Sequence, residues 1–192
     1  MIIMKKFRDV RGQMEAVGLV VIVILIALGM LFMATFALKS EPQKKIFTRK
    51  GLAYSTMSAL MKTTVSEEAA CYSLSQGAPK LGGDVLEDCA KYREVDFSIY
   101  QCIGPISKKP LHSCKFLEEM VYYSLNSTLG SWNKRYEFHS QLIPFQGEEA
   151  IDIIEPIAVA GGCPKWKERD SSGLFPINTE AGLVENVLYL CD

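Results

Sequence analysis

The feature that most constrains this chain is an uncharged run of 23 residues, Ala16–Leu38, near its amino terminus. As an α-helix such a run is about 34 Å long, which is sufficient to cross the hydrocarbon core of a bilayer. A cleavable secretory signal has a shorter apolar region, of about 7 to 15 residues, followed by a small-residue cleavage site. This run is longer and has no clear A-x-A site. We therefore expect a membrane-spanning helix that remains in the mature protein.

The cysteines indicate the side of the membrane on which the rest of the chain lies. Basic residues flank the run at both ends, so the positive-inside rule does not set its orientation. All six cysteines follow the run, and none forms a C-x-x-C pair. An even set of this kind is typical of disulfides outside the cytoplasm. The disulfide candidates are Cys71, Cys89, Cys102, Cys114, Cys163 and Cys191.

Metal and nucleic-acid binding are not expected. Structural zinc requires closely spaced ligands, whereas the chain has only two histidines, His112 and His139, and no close cysteine pair. The formal net charge is −1, and the part beyond the run is near-neutral, which favours neither nucleic acid nor an anionic lipid surface. We expect no cofactor. Asn126-Ser127-Thr128 is a candidate glycosylation acceptor and agrees with an extracytoplasmic location, although an unmodified exposed asparagine fits equally well.

A second helix is predicted directly beyond the run. Ser40-Glu41-Pro42 combines a cap, an acidic first turn and a proline near the first helical position. We expect one long helix, bent at Pro42, whose second half forms an amphipathic stalk over residues 39–75. Its apolar face, at helical spacing, consists of Ile46, Ala53, Met57, Leu60 and Met61.

The first part of the head, residues 76–192, is predicted to be a mixture of loop, strand and helix. Glycines and a proline predict a loop over Gln76–Gly83. Apolar residues that alternate predict a strand that contains Val95, Phe97, Ile99 and Tyr100. An amphipathic helix is expected over Pro110–Leu129, with Gly130 as its stop. The inward face of this helix is predicted to carry Phe116, Leu117, Met120, Tyr123 and Ser124.

The last third of the chain is predicted to form an antiparallel sheet. In its first strand, polar residues alternate with a set that faces inward: Tyr136, Phe138, Ser140 and Leu142. Ala150–Ala160 is expected to form an edge strand or two short strands around Pro156, and Asp170–Gly173 a turn. Leu183–Cys191 is expected to be the final strand. The predicted fold class is α+β: a long transmembrane helix continuing into an amphipathic helix, then a small disulfide-linked head with an antiparallel sheet.

The sequence contains no catalytic constellation, and we do not expect an enzyme. Its acidic pairs are adjacent in sequence and so do not face each other on a helix. His139 lies on the polar face of its strand, which favours a surface histidine over a general base. His112-Ser113-Cys114 is weak evidence for a triad, because triad members meet in space and an oxidised cysteine is not a nucleophile.

A glycine pair that follows the predicted segment Ala150–Ala160 is interpreted as a turn. Ala160-Gly161-Gly162-Cys163-Pro164 lacks the spacing of a phosphate-binding loop, and its proline removes a backbone donor. We expect a tight turn that presents a half-cystine. The sequence does not define the disulfide connectivity. It favours only the pairing of Cys163 with Cys191, because both lie near the predicted sheet.

The amino terminus of the chain carries basic residues, followed by Arg11-Gly12, Gln13 and a long apolar helix. This order resembles the class III signal of archaeal type IV pilin-like proteins. The resemblance implies that a prepilin-type peptidase cuts between Gly12 and Gln13. It also implies that the retained helix packs with like subunits in a filament. Glu15 would then be the third mature residue, whereas bacterial pilins place a glutamate at the fifth. Its role in assembly is one interpretation, and a carboxylate that reaches interfacial water is the other.

The sequence thus predicts a single-pass membrane protein whose carboxy-terminal domain is extracytoplasmic. Its parts would be a leader at 1–12, a transmembrane helix at 13–38, the stalk and the head. The function that this organisation favours is a pilin-like structural subunit, displayed or assembled at the cell surface. The alternative is a monomeric, membrane-anchored extracellular module that binds a sugar, a peptide or a partner.

Overall fold

The computed structural model of the chain describes residues 4–38, 42–65, 71, 78–145, 147, 149–159, 161–164 and 168–191. Helix α1 spans Met4–Leu38 and belongs to the first of two units, Met1–Gln43. Within α1, Val17–Thr35 is long and apolar enough to cross a membrane, and none of it is buried in the protein. A helix that is apolar on all sides is stable only in an apolar environment. The predicted amino-terminal apolar helix is therefore present.

The second unit, Lys44–Asp192, holds most of helix α2, Pro42–Lys62. The helix begins at the proline predicted near its first position. Its predicted apolar face is confirmed in part, because Ala53, Met57 and Leu60 are buried in the core. Residues 39–41, where the two helices were predicted to join, lie outside the described residues.

Helix α2 ends at Lys62, well before the predicted end of the stalk at residue 75. Backbone pairing with a later segment replaces the helical hydrogen bonds beyond this point. The Val65 N–H donates to the Pro79 carbonyl at 2.8 Å, and the Leu81 N–H donates to the Thr63 carbonyl at 2.8 Å. Residues 66–70 and 72–77 lie outside the described residues, and this range includes part of the predicted loop.

The predicted loop over Gln76–Gly83 is wrong at its end. Leu81–Val85 forms a π-helical turn that continues into helix α3, Leu86–Tyr92. Gly82 is required here, because a Cβ at this position would lie 2.5 Å from the backbone oxygen of Met61. The glycine therefore permits close contact with α2 rather than a flexible connection.

The strand predicted around Val95, Phe97, Ile99 and Tyr100 is also wrong. Val95 and Phe97 are exposed, and the segment is a loop. The carboxylate of Asp88, buried on α3, accepts the N–H groups of Ile99 at 3.0 Å and Tyr100 at 3.2 Å. These bonds hold the loop against α3 and occupy donors that a sheet ladder would use. A short hairpin follows, formed by β1, Cys102–Ile103, and β2, Pro110–Leu111.

Helix α4, Ser113–Leu125, continues into a second π-helical turn, Asn126–Gly130, so the predicted stop at Gly130 agrees with the structure. The predicted inward face of α4 is wrong for some of its residues. Tyr123 is 53% exposed, and Met120 and Ser124 are half-buried. The buried residues of the helix and its final turn are Phe116, Leu117, Val121, Leu125 and Leu129, together with Ser113.

In the part of the chain that the structure describes, one sheet contains six strands: β3 Arg135–Pro144, β4 Ile151–Asp152, β5 Ile157–Ala158, β6 Arg169–Ser171, β7 Phe175–Thr179 and β8 Gly182–Cys191. Four of them are neighbours in the order β4-β3-β8-β6. In addition, β5 pairs with β3 and β7 pairs with β8. The strands β4 and β5 confirm two short strands over Ala150–Ala160. The long central pair, β3 and β8, runs antiparallel from Arg135 opposite Cys191 to Pro144 opposite Gly182. Because β6 includes Asp170 and Ser171, the predicted turn over Asp170–Gly173 is wrong in its first half.

One face of the sheet closes the core. The alternation predicted for β3 is confirmed, and its inward residues pack with those of β8 and with helices α2, α3 and α4. Arg49 on α2 contacts Asp170 on β6 at 2.8 Å and so joins a helix to the sheet. The other face of β3 and β8 carries half-exposed polar and aromatic side chains.

Candidate functional site

The three residues predicted to direct processing and assembly lie in one helix. Gly12, Gln13 and Glu15 are part of α1, ahead of the apolar stretch Val17–Thr35. Their side chains lie outside what the structure describes. Cleavage after Gly12 would leave the apolar stretch whole. The side chains of that stretch are strongly exposed, for example Phe32 at 69% and Met33 at 79%.

All six cysteines are joined in disulfides. The pairs are Cys71–Cys102, Cys89–Cys114 and Cys163–Cys191. The last is the pair favoured by the sequence. The first ties the segment after α2 to β1, the second ties α3 to the start of α4, and the third ties a turn to the end of β8. These bridges restrict the unfolded chain and leave no thiol for nucleophilic chemistry.

The adjacent residues His112, Ser113 and Cys114 each have a structural role. The Nδ1 atom of His112 accepts the N–H of Cys114 at 3.2 Å and so caps α4. Its Nε2 atom lies 2.9 Å from the carbonyl oxygen of Phe97. Ser113 is fully buried, and Cys114 is bonded to Cys89. This arrangement orders a helix start and offers no nucleophile with a base.

A polar cluster on the open face of the sheet positions the turn that carries Cys163. Glu137 accepts the N–H of Cys163 at 3.1 Å, and its other oxygen lies 2.6 Å from Nε2 of His139. Burial alone would raise the pKa of Glu137, but the Cys163 N–H and His139 lower it below its ordinary value. The ring of Tyr189 contacts His139 edge-on at 5.8 Å and lies under Arg169 at 4.6 Å. His139 is half-exposed on the polar face, as predicted, and supports the fold.

The turn itself agrees with the prediction. Gly161 and Gly162 have positive φ values of 84° and 71°, which glycine adopts readily. Cys163 follows them and bonds to Cys191. Ala160 lies outside the described residues. The glycine pair therefore presents a half-cystine.

A charged cleft of about 510 Å³ lies on the head. It lies between the loop after α3, the start of α4 and the connection from β4 to β5. Lys115 forms an ion pair with Glu118 at 2.7 Å, and this hydrogen bond raises the pKa of Lys115. The charged residues that line the cleft are Arg93, Asp96, Lys115, Glu118, Asp152 and Glu155. The cleft is not predictable from the sequence, because its residues come from separate segments and follow no local pattern.

A second, apolar groove of about 370 Å³ lies between α2 and the end of α4. Small and hydroxyl-bearing residues line it, and Trp132 lies at its border with 62% of its surface exposed. Trp132 therefore belongs to the surface of the head and not to its core. Trp166 lies outside the described residues.

The remaining sequence candidate, Asn126, is accessible. Asn126, Ser127 and Thr128 are all exposed on the turn that follows α4, on the polar side of the helix as predicted. Within the described ranges, no cluster of histidine, cysteine and acidic residues would hold a metal ion.

Comparison with known protein families, with curated proteins and with solved structures finds no match to this chain.

Proposed function

We propose that this chain is a pilin-like structural subunit, inserted in the membrane and displayed or assembled at the cell surface. A prepilin-type peptidase would remove residues 1–12 and leave Gln13 as the first mature residue. The helix would anchor the subunit and then pack with like helices. The head would lie outside the cytoplasm.

One observation carries the proposal: Arg11-Gly12-Gln13 stands directly ahead of an apolar stretch within a single helix, Met4–Leu38. None of the stretch Val17–Thr35 is buried within the chain. Its apolar side chains therefore require cover from outside, from lipid before assembly or from neighbouring subunits after it.

The head supports the same proposal. Its three disulfides suit an oxidising environment outside the cytoplasm. All six cysteines are bonded to one another, and the buried carboxylate of Asp88 accepts two backbone N–H groups. A cross-linked head of this kind agrees with a structural role.

The proposal is tested by a substitution at the cleavage site in cells that express a prepilin-type peptidase. In Gly12→Leu the leader should be retained and surface filaments labelled by an antibody to the head should be lost. Gly18→Leu is the matched control for cleavage alone, because it enlarges a glycine of the same helix beyond the cleavage site, and nothing lies within 4 Å of its Cβ position. Its leader should be removed as in wild type. Wild-type processing and display of Gly12→Leu would contradict the proposal.

A second candidate is the monomeric, anchored binding module. The charged cleft favours it, because about 510 Å³ lined by both signs of charge would suit a small polar or zwitterionic ligand. This candidate predicts an intact Met1 terminus and a monomer in the membrane. The pilin-like subunit predicts a shortened chain and self-association.

A further inference from the structure

An exposed aromatic patch lies on the head near the start of α2. Phe47 and Tyr54 are 82% and 58% exposed, and a spacing of seven residues places them on one side of the helix. The ring of Tyr54 lies 5.3 Å from the ring of Phe175, at the start of β7. Leu174, next to Phe175, is 61% exposed. We call Phe47, Tyr54, Leu174 and Phe175 the aromatic patch.

The helix surface between the two α2 residues is open. Gly51 lies on the same side of α2, and nothing lies within 4 Å of its Cβ position. Lys50 is exposed and is also on this side of the helix. The patch therefore joins apolar rings to a cation, which is the composition of surfaces that lie at a membrane interface.

The chain itself limits how far the patch can lie from the membrane. Only nine residue steps separate Leu38, the end of α1, from Phe47. Even a fully extended chain of this length spans no more than about 30 Å, and a helical one about 14 Å. Phe47 is thus within reach of the interface of a bilayer that holds α1, whatever the arrangement of the two units.

Charge in this segment suits an anionic lipid surface, although the head as a whole is near-neutral. Between Glu41 and Glu67 the sequence contains basic residues but no acidic one. The side chain of Arg49 is only 11% exposed and is held by Asp170, so it does not contribute. Lys50 is exposed, and Lys44 and Lys45 precede it in the sequence. Basic residues that flank a membrane span attract anionic headgroups.

We propose that the aromatic patch docks on the bilayer that holds α1, with the rings in the interfacial layer and Lys50 at anionic headgroups. The docked head would be held at the membrane surface by its own side chains in addition to the anchor. This contact requires the chain in a membrane but not a filament. It therefore applies equally to a subunit before assembly and to a monomeric anchored protein.

Fluorescence of the full-length chain in vesicles tests the contact. Trp132 and Trp166 are replaced by Phe, and a single reporter is introduced as Phe47→Trp or, as a second reporter, Tyr54→Trp. The control is Phe145→Trp, because Phe145 is also strongly exposed, at 71%, but lies at the end of β3. Vesicles contain lipids with brominated acyl chains, which quench a nearby indole.

The expected result is a loss of emission and a blue shift for the reporters at 47 and 54, but not for the reporter at 145. The loss should be greater in vesicles with phosphatidylglycerol than in phosphatidylcholine alone, and Lys50→Glu should reduce that difference. Equal emission from all three positions in both kinds of vesicle would overturn the proposal. Circular dichroism confirms that each reporter variant is folded. Filament formation is measured separately, so a result that contradicts docking of the aromatic patch does not contradict the pilin-like proposal.

Discussion

The hydroxyl of Ser140 donates a hydrogen bond of 2.7 Å to the side-chain oxygen of Asn186, between the two central strands of the sheet. Both residues are fully buried. The amide nitrogen of Asn186 in turn donates to the carbonyl of Phe175 on β7 at 3.1 Å. A single buried amide therefore joins β3, β8 and β7, and it fixes the register of these strands within an otherwise apolar face.

Asn186→Ala should destabilise the head by about 2 kcal/mol or more, because it creates a cavity and leaves buried polar groups without partners. Chemical denaturation measures the change. Asn178→Ala is the control, since Asn178 is exposed on β7, and it should change the free energy of unfolding by no more than about 0.5 kcal/mol. Equal effects of the two substitutions would contradict a structural role for the buried amide.

The disulfide between Cys163 and Cys191 closes a loop of 28 residues and fixes the end of β8. Replacing both cysteines by serine should lower the free energy of unfolding by about 2 to 4 kcal/mol. The comparison is made by denaturation without reductant. When all bridges are reduced, wild type and variant should differ much less. A difference that persists in reductant would assign the loss to packing instead of the cross-link.

The lowered pKa of Glu137 makes the head less stable in acid. The folded state holds the ionised carboxylate through the Cys163 N–H and His139, so its contribution is fully present above the ordinary pKa of 4.5. It is lost as the pH falls through the lowered value. Stability measured against pH should therefore decline less steeply below 4.5 for Glu137→Gln than for wild type. His139→Gln should give an intermediate slope, and identical slopes for all three proteins would refute this account.

The hydroxyl of Tyr136 is buried and has no hydrogen-bond partner within the described residues. Burial raises the pKa of Tyr136 to about 12. The folded state disfavours the ionised form of Tyr136. The stability that the neutral form contributes is therefore present below pH 10.0 and is lost as the pH rises towards the raised pKa. Tyr136→Phe should leave stability at neutral pH unchanged or raise it by up to about 1 kcal/mol. It should also reduce the loss of stability at alkaline pH, and a clear destabilisation at neutral pH would be the opposite outcome.

The sheet and the apolar helix were predictable because their patterns are local. Tyr136 and Phe138 alternate with polar residues, and this period alone predicts which face of β3 is buried. The pairing of Cys163 with Cys191 was favoured because both cysteines lie near the predicted sheet, and it is confirmed. The uncharged run likewise needed no tertiary information.

The errors lie where distant contacts override the local pattern. The segment around Val95 alternates like a strand, but Asp88 binds the backbone N–H groups of Ile99 and Tyr100 and holds it as a loop. The π-helical turn Leu81–Val85 was missed because Gly82 was interpreted as a loop residue, whereas it permits close contact with Met61. The charged cleft is assembled from separate segments, so no local pattern predicts it.

The most direct test of the central claim is the mature amino terminus of the protein isolated from membranes, measured by mass spectrometry. A retained apolar helix that begins at Gln13, with all six cysteines oxidised, is the result that a processed, extracytoplasmic pilin-like subunit predicts. An intact Met1 terminus on the protein isolated from membranes would contradict it.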